Sequence, residues 1–138
     1  MTQDMIASRP LPEITDLTEP FWAAAKGRHL EIQRCDGCGT FRFPPEYGCA
    51  ACGSMLATWT KVSGRAELYT WTEAHPPLLP YFMERAPWPL AVVQLEEGPR
   101  MATNLVDDAS EDYEIGMALR ADFEDISDDV TLVVFRRR

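Results

Sequence analysis

Cys35, Cys38, Cys49 and Cys52 are the only cysteines in the chain, and they stand as two Cys-x-x-Cys-Gly knuckles separated by ten residues. A two-residue spacer lets one tight turn present both sulfurs to an ion, and the glycine that follows can take the positive φ that closes the turn. Four thiolates satisfy tetrahedral Zn²⁺ completely, so the expected cofactor is one zinc with a structural role and no open position for catalysis. The short gap has room for a hairpin, as in a zinc ribbon. Two other readings of the same residues stay open here: two disulfides, or a rubredoxin-like Cys₄ iron centre that carries electrons.

Other chemistry is sparse. His29 and His75 are the only histidines, and neither has a carboxylate or nucleophile at a suggestive spacing. No Ser, Cys or Lys lies in a recognisable nucleophile motif, which argues against catalysis by this chain alone. The formal charge is −9, and Zn²⁺ bound by four thiolates takes it to −11. Such a field repels phosphate backbones, which are held by Lys and Arg displacing counterions. Trp59, Tyr69 and Trp71 could stack on bases, so a nucleic-acid module remains an alternative reading, but 13 cations against 22 acids weigh against it. The first twenty residues lack the basic and apolar regions of a signal peptide, and no apolar run approaches the length of a membrane span. These features lead us to expect a cytoplasmic chain with no membrane contact.

The elements that must hold the knuckles can be read from periodicity. Residues 1–17 form a proline-broken arm. Thr18 precedes Glu19-Pro20 as a helix start, Phe21, Ala24 and Ala25 share one face, and Gly27 stops the helix. A helix so short needs something to lean on; Phe21 and Trp22 therefore pack on the chain's own domains or clasp another subunit. Leu30 to Arg34 and Phe41 to Phe43 alternate at period two as ribbon strands, and Trp59 to Val62 leads to a turn at Ser63-Gly64. Beyond it we count five strands: Ala66 to Glu73, Leu90 to Leu95, Arg100 to Val106, Ala118 to Ile126 and Val130 to Phe135. That is the size of a small OB-type barrel. The fold expected is mainly β, with an N-terminal arm and short helix over 1–29, a rubredoxin-like zinc ribbon over 30–62 and a five-stranded OB-fold domain over 63–138.

Three segments remain outside that frame. The excursion from His75 to Pro89 holds five prolines with Leu78, Leu79, Tyr81, Phe82, Met83 and Trp88. It reads either as a loop closing one end of the barrel or as a preset apolar surface for a ligand or a partner, with Phe82 and Trp88 among its large rings. Asp107 to Asp112 reads as a solvated acidic loop, and Arg136-Arg137-Arg138 as a frayed end.

The order of parts also resembles a known family. The arm Pro10-Leu11-Pro12, the Phe21-Trp22 helix, Leu30-x-Ile32-Gln33-x-Cys35-x-x-Cys38-Gly39, Phe43-Pro44-Pro45, Cys49-x-x-Cys52-Gly53-Ser54, Trp59-x-x-Val62-Ser63-Gly64 and Gly116-Met117-(x)₅-Phe123 resemble the acyl-CoA-associated zinc-ribbon and OB-fold proteins long filed as a domain of unknown function. Ala50 and Ala66 depart from residues common among relatives, and neither is a ligand. The resemblance implies an accessory, non-catalytic subunit that docks to a thiolase-fold enzyme (a thiolase, a retro-aldolase or an acyltransferase) and helps form its acyl-CoA site, in lipid or sterol metabolism. It carries over only the four cysteines residue by residue, leaves Phe21 and Trp22 as expected partner contacts, and makes an acyl chain the ligand expected at the proline excursion, with Phe82 and Trp88 as the acyl-CoA contacts.

Overall fold

A computed structural model describes residues 8–106 and 112–138. Helix α1 (Glu19–Lys26) leads into a three-stranded antiparallel sheet of β1 (Glu31–Cys35), β2 (Phe41–Arg42) and β3 (Ala57–Lys61), in the order β2-β1-β3. The second sheet is antiparallel, in the order β6-β5-β4-β7-β8. Its strands are β4 (Arg65–Ala74), β5 (Trp88–Leu95), β6 (Arg100–Thr103), β7 (Ala118–Asp125) and β8 (Thr131–Arg137), with helix α2 (Pro80–Met83) between β4 and β5. The fold is the mainly β arrangement expected: a short helix, a cysteine ribbon and a five-stranded OB-type half-barrel.

The barrel closes at one seam. Leu105 and Phe135 form a parallel bridge. Val106 donates its N–H to the Phe135 carbonyl at 3.0 Å and Phe135 donates to Asn104 at 3.1 Å. The Thr103 hydroxyl adds a bond to the Val133 carbonyl at 2.9 Å. To reach this seam the chain leaves β5 after Thr103, so β6 is shorter than the run to Val106 that the sequence suggests. Asn104 makes the departure, giving its carbonyl to Phe135 and its side-chain amide to Pro89 at 2.6 Å.

Strand alternation sorts the residues. Ala66 and Leu68 of β4, Ala91, Val93 and Leu95 of β5, Met101 of β6, Leu119 of β7 and Val133 and Phe135 of β8 all point inward. The same cluster continues without a break across Ser63-Gly64 to Leu30 and Ile32 of the ribbon and to Phe21 and Ala25 of α1. The ribbon thus has no core of its own, as its size demands, and borrows that of the half-barrel. Tyr69 marks a bulge, where the β4–β5 register slips between Leu68 and Thr70.

Both ends of α1 differ from the simple expectation. Thr18 sits at the N-cap but makes no side-chain capping bond; it exchanges bonds with Thr15 instead. Pro20 removes one orphan amide and Phe21 donates to the Thr18 carbonyl at 3.0 Å, so little is left to cap. At the other end Gly27 is not the left-handed residue. Arg28 is, with φ 65°. The Arg28 N–H reaches the Ala25 carbonyl and the His29 N–H that of Ala24, the bond pair of a Schellman turn. An arginine in this conformation costs about 1–2 kcal/mol relative to glycine. Its guanidinium forms a two-pronged pair with Asp125, at 2.8 and 2.5 Å.

The last strand is also longer than expected. Arg136 and Arg137 belong to β8, Arg136 pairs with Asp122 at 2.5 Å, and the Arg138 N–H bonds Ala118. The tail is therefore paired rather than frayed, because β7 supplies a ladder as far as Ala118. The acidic stretch lies outside the described residues except for Asp112, which is exposed. Residues 1–7 of the expected arm lie outside them too.

Two outcomes follow for stability. Phe21 is 7% exposed, so Phe21→Ala in the metal-loaded chain should cost about 3 kcal/mol or more in urea denaturation; a loss below about 1 kcal/mol would contradict the packing. Asp125 is held well below the usual carboxylate range, first by the Arg28 guanidinium and then by the Thr131 hydroxyl. A depressed carboxylate stabilises the fold above its unfolded pKa of about 3.9 and loses that contribution as pH falls further. Asp125→Asn should therefore lower the melting midpoint at pH 7, and the gap to the parent should close on titrating from about pH 5 downward. A gap that stays constant across that range would refute the linkage.

Candidate metal centre and apolar face

The two knuckles are built alike. The Gly39 N–H bonds the Cys35 carbonyl and the Gly53 N–H that of Cys49, both at 2.9 Å, with φ 76° and 80° at the glycines. One turn further the Cys35 N–H reaches Thr40 and the Cys49 N–H reaches Ser54, again at 2.9 Å. Gly37 serves a different need. A Cβ there would stand 3.2 Å from Ser54 Cβ and 3.3 Å from Cys52 Sγ, so its bare backbone lets one knuckle come up against the other.

All four Sγ atoms lie within 4.8 Å of one another. Cys35 and Cys52 are 3.5 Å apart, and Cys38 and Cys49 are 3.6 Å apart. Tetrahedral Zn–S bonds of about 2.3 Å put sulfurs about 3.8 Å from each other, so the cage fits that ion. The four cysteines are unbridged; the disulfide reading is not what this arrangement forms. Thr40 Oγ1, 3.1 Å from Cys38 Sγ, and then the Thr40 amide bring the Cys38 thiol down to about 6. Cys52 goes the other way: the Ser54 amide favours its thiolate, but hydrogen bonding with Cys35 and Cys38 leaves it at about 12. Four thiols this close cannot all ionise without a cation among them, which is the charge state that a bound metal supplies.

Gln33 is a supporting residue that periodicity did not single out. Buried at 6% exposure, its carbonyl oxygen accepts from Arg42 Nε at 2.9 Å and from the Glu46 N–H at 2.8 Å. It ties the start of the second knuckle to β1. The only signal in the sequence is a polar residue in the middle of an alternating strand, on the face opposite Ile32.

Neither histidine joins the cage: His29 faces Glu31 at 3.3 Å and His75 faces Glu73 at 3.7 Å. Of the pair expected to meet a partner, Phe21 is committed to the chain's own core. It lies 5.0 Å from Trp22 and 5.4 Å from Phe43, ring centre to ring centre. Trp22 alone keeps partial exposure. Trp59 and Trp71 are half-buried against the core, and Arg100 covers the exposed Tyr69 ring at 3.8 Å.

The proline excursion folds into one aromatic knot. Phe82 and Trp88 meet at 4.9 Å and Tyr81 packs edge-on against both, at 5.2 and 6.3 Å. Arg9 of the arm lies over both Tyr81 and Trp88 and approaches Glu124 at 3.9 Å. Leu79 and Met83 remain exposed. Phe82 and Trp88 do not line the groove on the outer face of the second sheet. That groove, of about 460 Å³, runs along β4, β5 and β6 past Thr70, Thr72, Leu90, Val92 and Ala102. Alternation along β5 puts Trp88 on the same face as Leu90 and Val92, so the knot stands at the end of the groove.

Comparison with known proteins fits this geometry. Residues 22–55 match the model of the ChsH2 rubredoxin-like zinc ribbon domain, and residues 59–124 match that of the ChsH2 C-terminal OB-fold domain. A probable enoyl-CoA hydratase alpha subunit of Thermomonospora curvata is 40% identical over 94% of this chain, which spans only 40% of that protein. A DUF35 domain-containing scaffold protein of Methanocaldococcus jannaschii is 36% identical, with 78% of this chain and 77% of the relative covered. Among solved structures, an Ltp2-ChsH2(DUF35) aldolase superposes with a TM-score of 0.83 at 38% identity, over 92% of this chain and 98% of that one. With a cysteine ribbon, an OB-type half-barrel and these relatives in the same order along the sequence, the chain belongs to the DUF35 family of ChsH2-type zinc-ribbon and OB-fold proteins.

Proposed function

We propose that this chain is an accessory subunit of an acyl-CoA enzyme, docking to a thiolase-fold partner and helping to form its acyl-CoA site. The observation that carries this reading is the near-complete superposition on the ChsH2(DUF35) chain of an aldolase. The hydratase alpha subunit, of which the chain spans about two fifths, also acts on a CoA ester by its name. The chain's own residues are consistent with a supporting role. Its four thiols converge on one cage, and the groove along β4, β5 and β6 is lined by aliphatic and threonine side chains with Trp71 and Asn104, none of them titratable. Trp22 on α1 is the partner contact, and the acyl portion lies along the groove toward Phe82 and Trp88. No helix among the described residues is long and apolar enough to cross a membrane; we take the working compartment to be the cytoplasm.

The metal we assign is a single structural zinc on Cys35, Cys38, Cys49 and Cys52. When bound, it supplies the folding free energy that a ribbon of this size lacks. The residues do the rest: the Thr40 amide steadies the Cys38 sulfur, the Ser54 amide that of Cys52, and Gly37 admits the second knuckle. Elemental analysis of freshly purified, reduced protein should give one equivalent of zinc and a colourless solution. Red protein containing iron, or less than about half an equivalent of any metal, would overturn the assignment. Cys38→Ser should lose the metal and open the β1–β3 sheet, read as lost amide protection there.

Assembly is tested by co-expressing the chain with a thiolase-fold chain from the same genome, followed by size exclusion. One co-eluting complex is expected, and two separate monomers at micromolar concentration would sink the proposal. Within the complex, Trp22→Ala should weaken assembly by about 2 kcal/mol, as a buried aromatic anchor does. Phe82→Ala with Trp88→Ala should leave assembly intact and raise KM for long acyl-CoA substrates more than for short ones. If that double variant dissociates the complex at full activity, the proline excursion is interface instead.

A further inference from the structure

Six of the chain's thirteen lysines and arginines gather where the ribbon meets the half-barrel: Arg28, Lys61, Arg65, Arg120, Arg136 and Arg138. In a chain of formal charge −9 such crowding has a cost. It is sharpest in the sheet register, where Arg120 on β7 stands directly opposite Arg65 on β4 and Arg136 on β8. Like charges facing each other across a ladder destabilise it. The acids nearby offset only part of this. Asp125 takes Arg28, Asp122 takes Arg136 and also feels the charge of Arg120, Glu67 and Glu96 share a second groove with Arg65 and Arg138, and Glu31 faces His29. Among the described residues Lys61 and Arg120 have no carboxylate within ion-pair distance.

These two side chains share a groove of about 300 Å³ with Arg28, His29, Ser63 and Gly64. None of its lining residues is acidic. Its wall includes Arg28, the one non-glycine residue at positive φ among those described. Backbone strain of that kind is concentrated at functional sites. Here it turns the guanidinium onto Asp125 and leaves the pair as a fixed rim rather than a swinging side chain. The hollow has room for a phosphate group with its first waters. Guanidinium forks and an ammonium are the side chains that bind phosphate oxygens.

We propose that this junction groove is an anion site for the phosphate groups of a phosphorylated small molecule, with Lys61 and Arg120 as direct contacts and Arg28 as a positioning residue. Only the identity of the ligand rests on the acyl-CoA reading: coenzyme A carries a diphosphate and a 3′-phosphate, and either suits the site.

The 138-residue chain, loaded with zinc, is titrated with inorganic pyrophosphate at low ionic strength and followed by amide NMR. Saturable shifts are expected over Lys61 to Gly64 and at Arg120 and Ala121. Lys61→Ala with Arg120→Ala should weaken binding about tenfold, as expected for two charge-assisted contacts. Arg85→Ala, which removes a cation from the proline excursion, should change it less than about twofold. Both sets of side chains are exposed, so the variants should fold, and their spectra in the absence of ligand show whether they do. Coenzyme A binding more tightly than pyrophosphate through the same amides identifies it as the source. Equal affinity supports the site and assigns the phosphate to another molecule, leaving the assembly experiment to judge the acyl-CoA role. Absence of saturable shifts, shifts confined to other residues, or an equal loss in Arg85→Ala would each overturn the proposal.

Discussion

Phe21 occupies the one place where every layer of the molecule meets. It hangs from a helix of eight residues that could not hold its shape in water. Its ring packs against Phe43 of the ribbon, and the same buried cluster runs on through Ile32 and Val62 to Leu119 and Phe135 of the half-barrel. The helix is therefore neither an appendage nor a linker. It is the apolar plug that lets a ribbon with no interior and a sheet with an open flank share a single core.

The metal cage depends on that sharing. Two short turns can present four sulfurs only if the strands that carry them are held in register, and β1 is the central strand of the ribbon. Its buried residues Ile32 and Gln33, on opposite faces of the strand, are anchored in different ways: Ile32 is fully buried in the common core, while Gln33 accepts from both Arg42 and the Glu46 amide. Metal binding and core packing thus reinforce each other. The zinc expected at the knuckles organises what the core cannot reach, and the core orients the strand from which the first knuckle springs.

Much of this was legible in the residues. Paired Cys-x-x-Cys-Gly motifs have few physical uses, and the half-barrel strands alternate cleanly because only one of their faces is buried. The helix was legible to within a residue, but its end was not. Gly27 has the right chemistry for a left-handed cap, yet Arg28 takes that role because Asp125, far away in sequence, is there to receive its side chain. The same limit applies to Arg136 and Arg137, which look like a loose basic tail until β7 provides the hydrogen-bonding partner. Of the adjacent rings, Phe21 was legible as the inward one, since helical spacing puts it on one face with Ala24 and Ala25, and those three are the buried residues of the helix. The aromatic knot was harder still, since Arg9 joins Tyr81 and Trp88 across more than seventy positions.

The unbroken passage through Ser63-Gly64 has a mechanical meaning. Gly64 accepts the Ala121 N–H at 2.8 Å, and the Ser63 N–H is held by Glu97 at 2.9 Å, while the neighbouring Val62 is part of the buried core. A joint clamped on both sides cannot act as a hinge. The cysteine cage and the groove on β4, β5 and β6 must then keep a fixed distance and bearing, like the two arms of a set square. A molecule built this way transmits position rather than motion: whatever grips one arm has already decided where the other arm points.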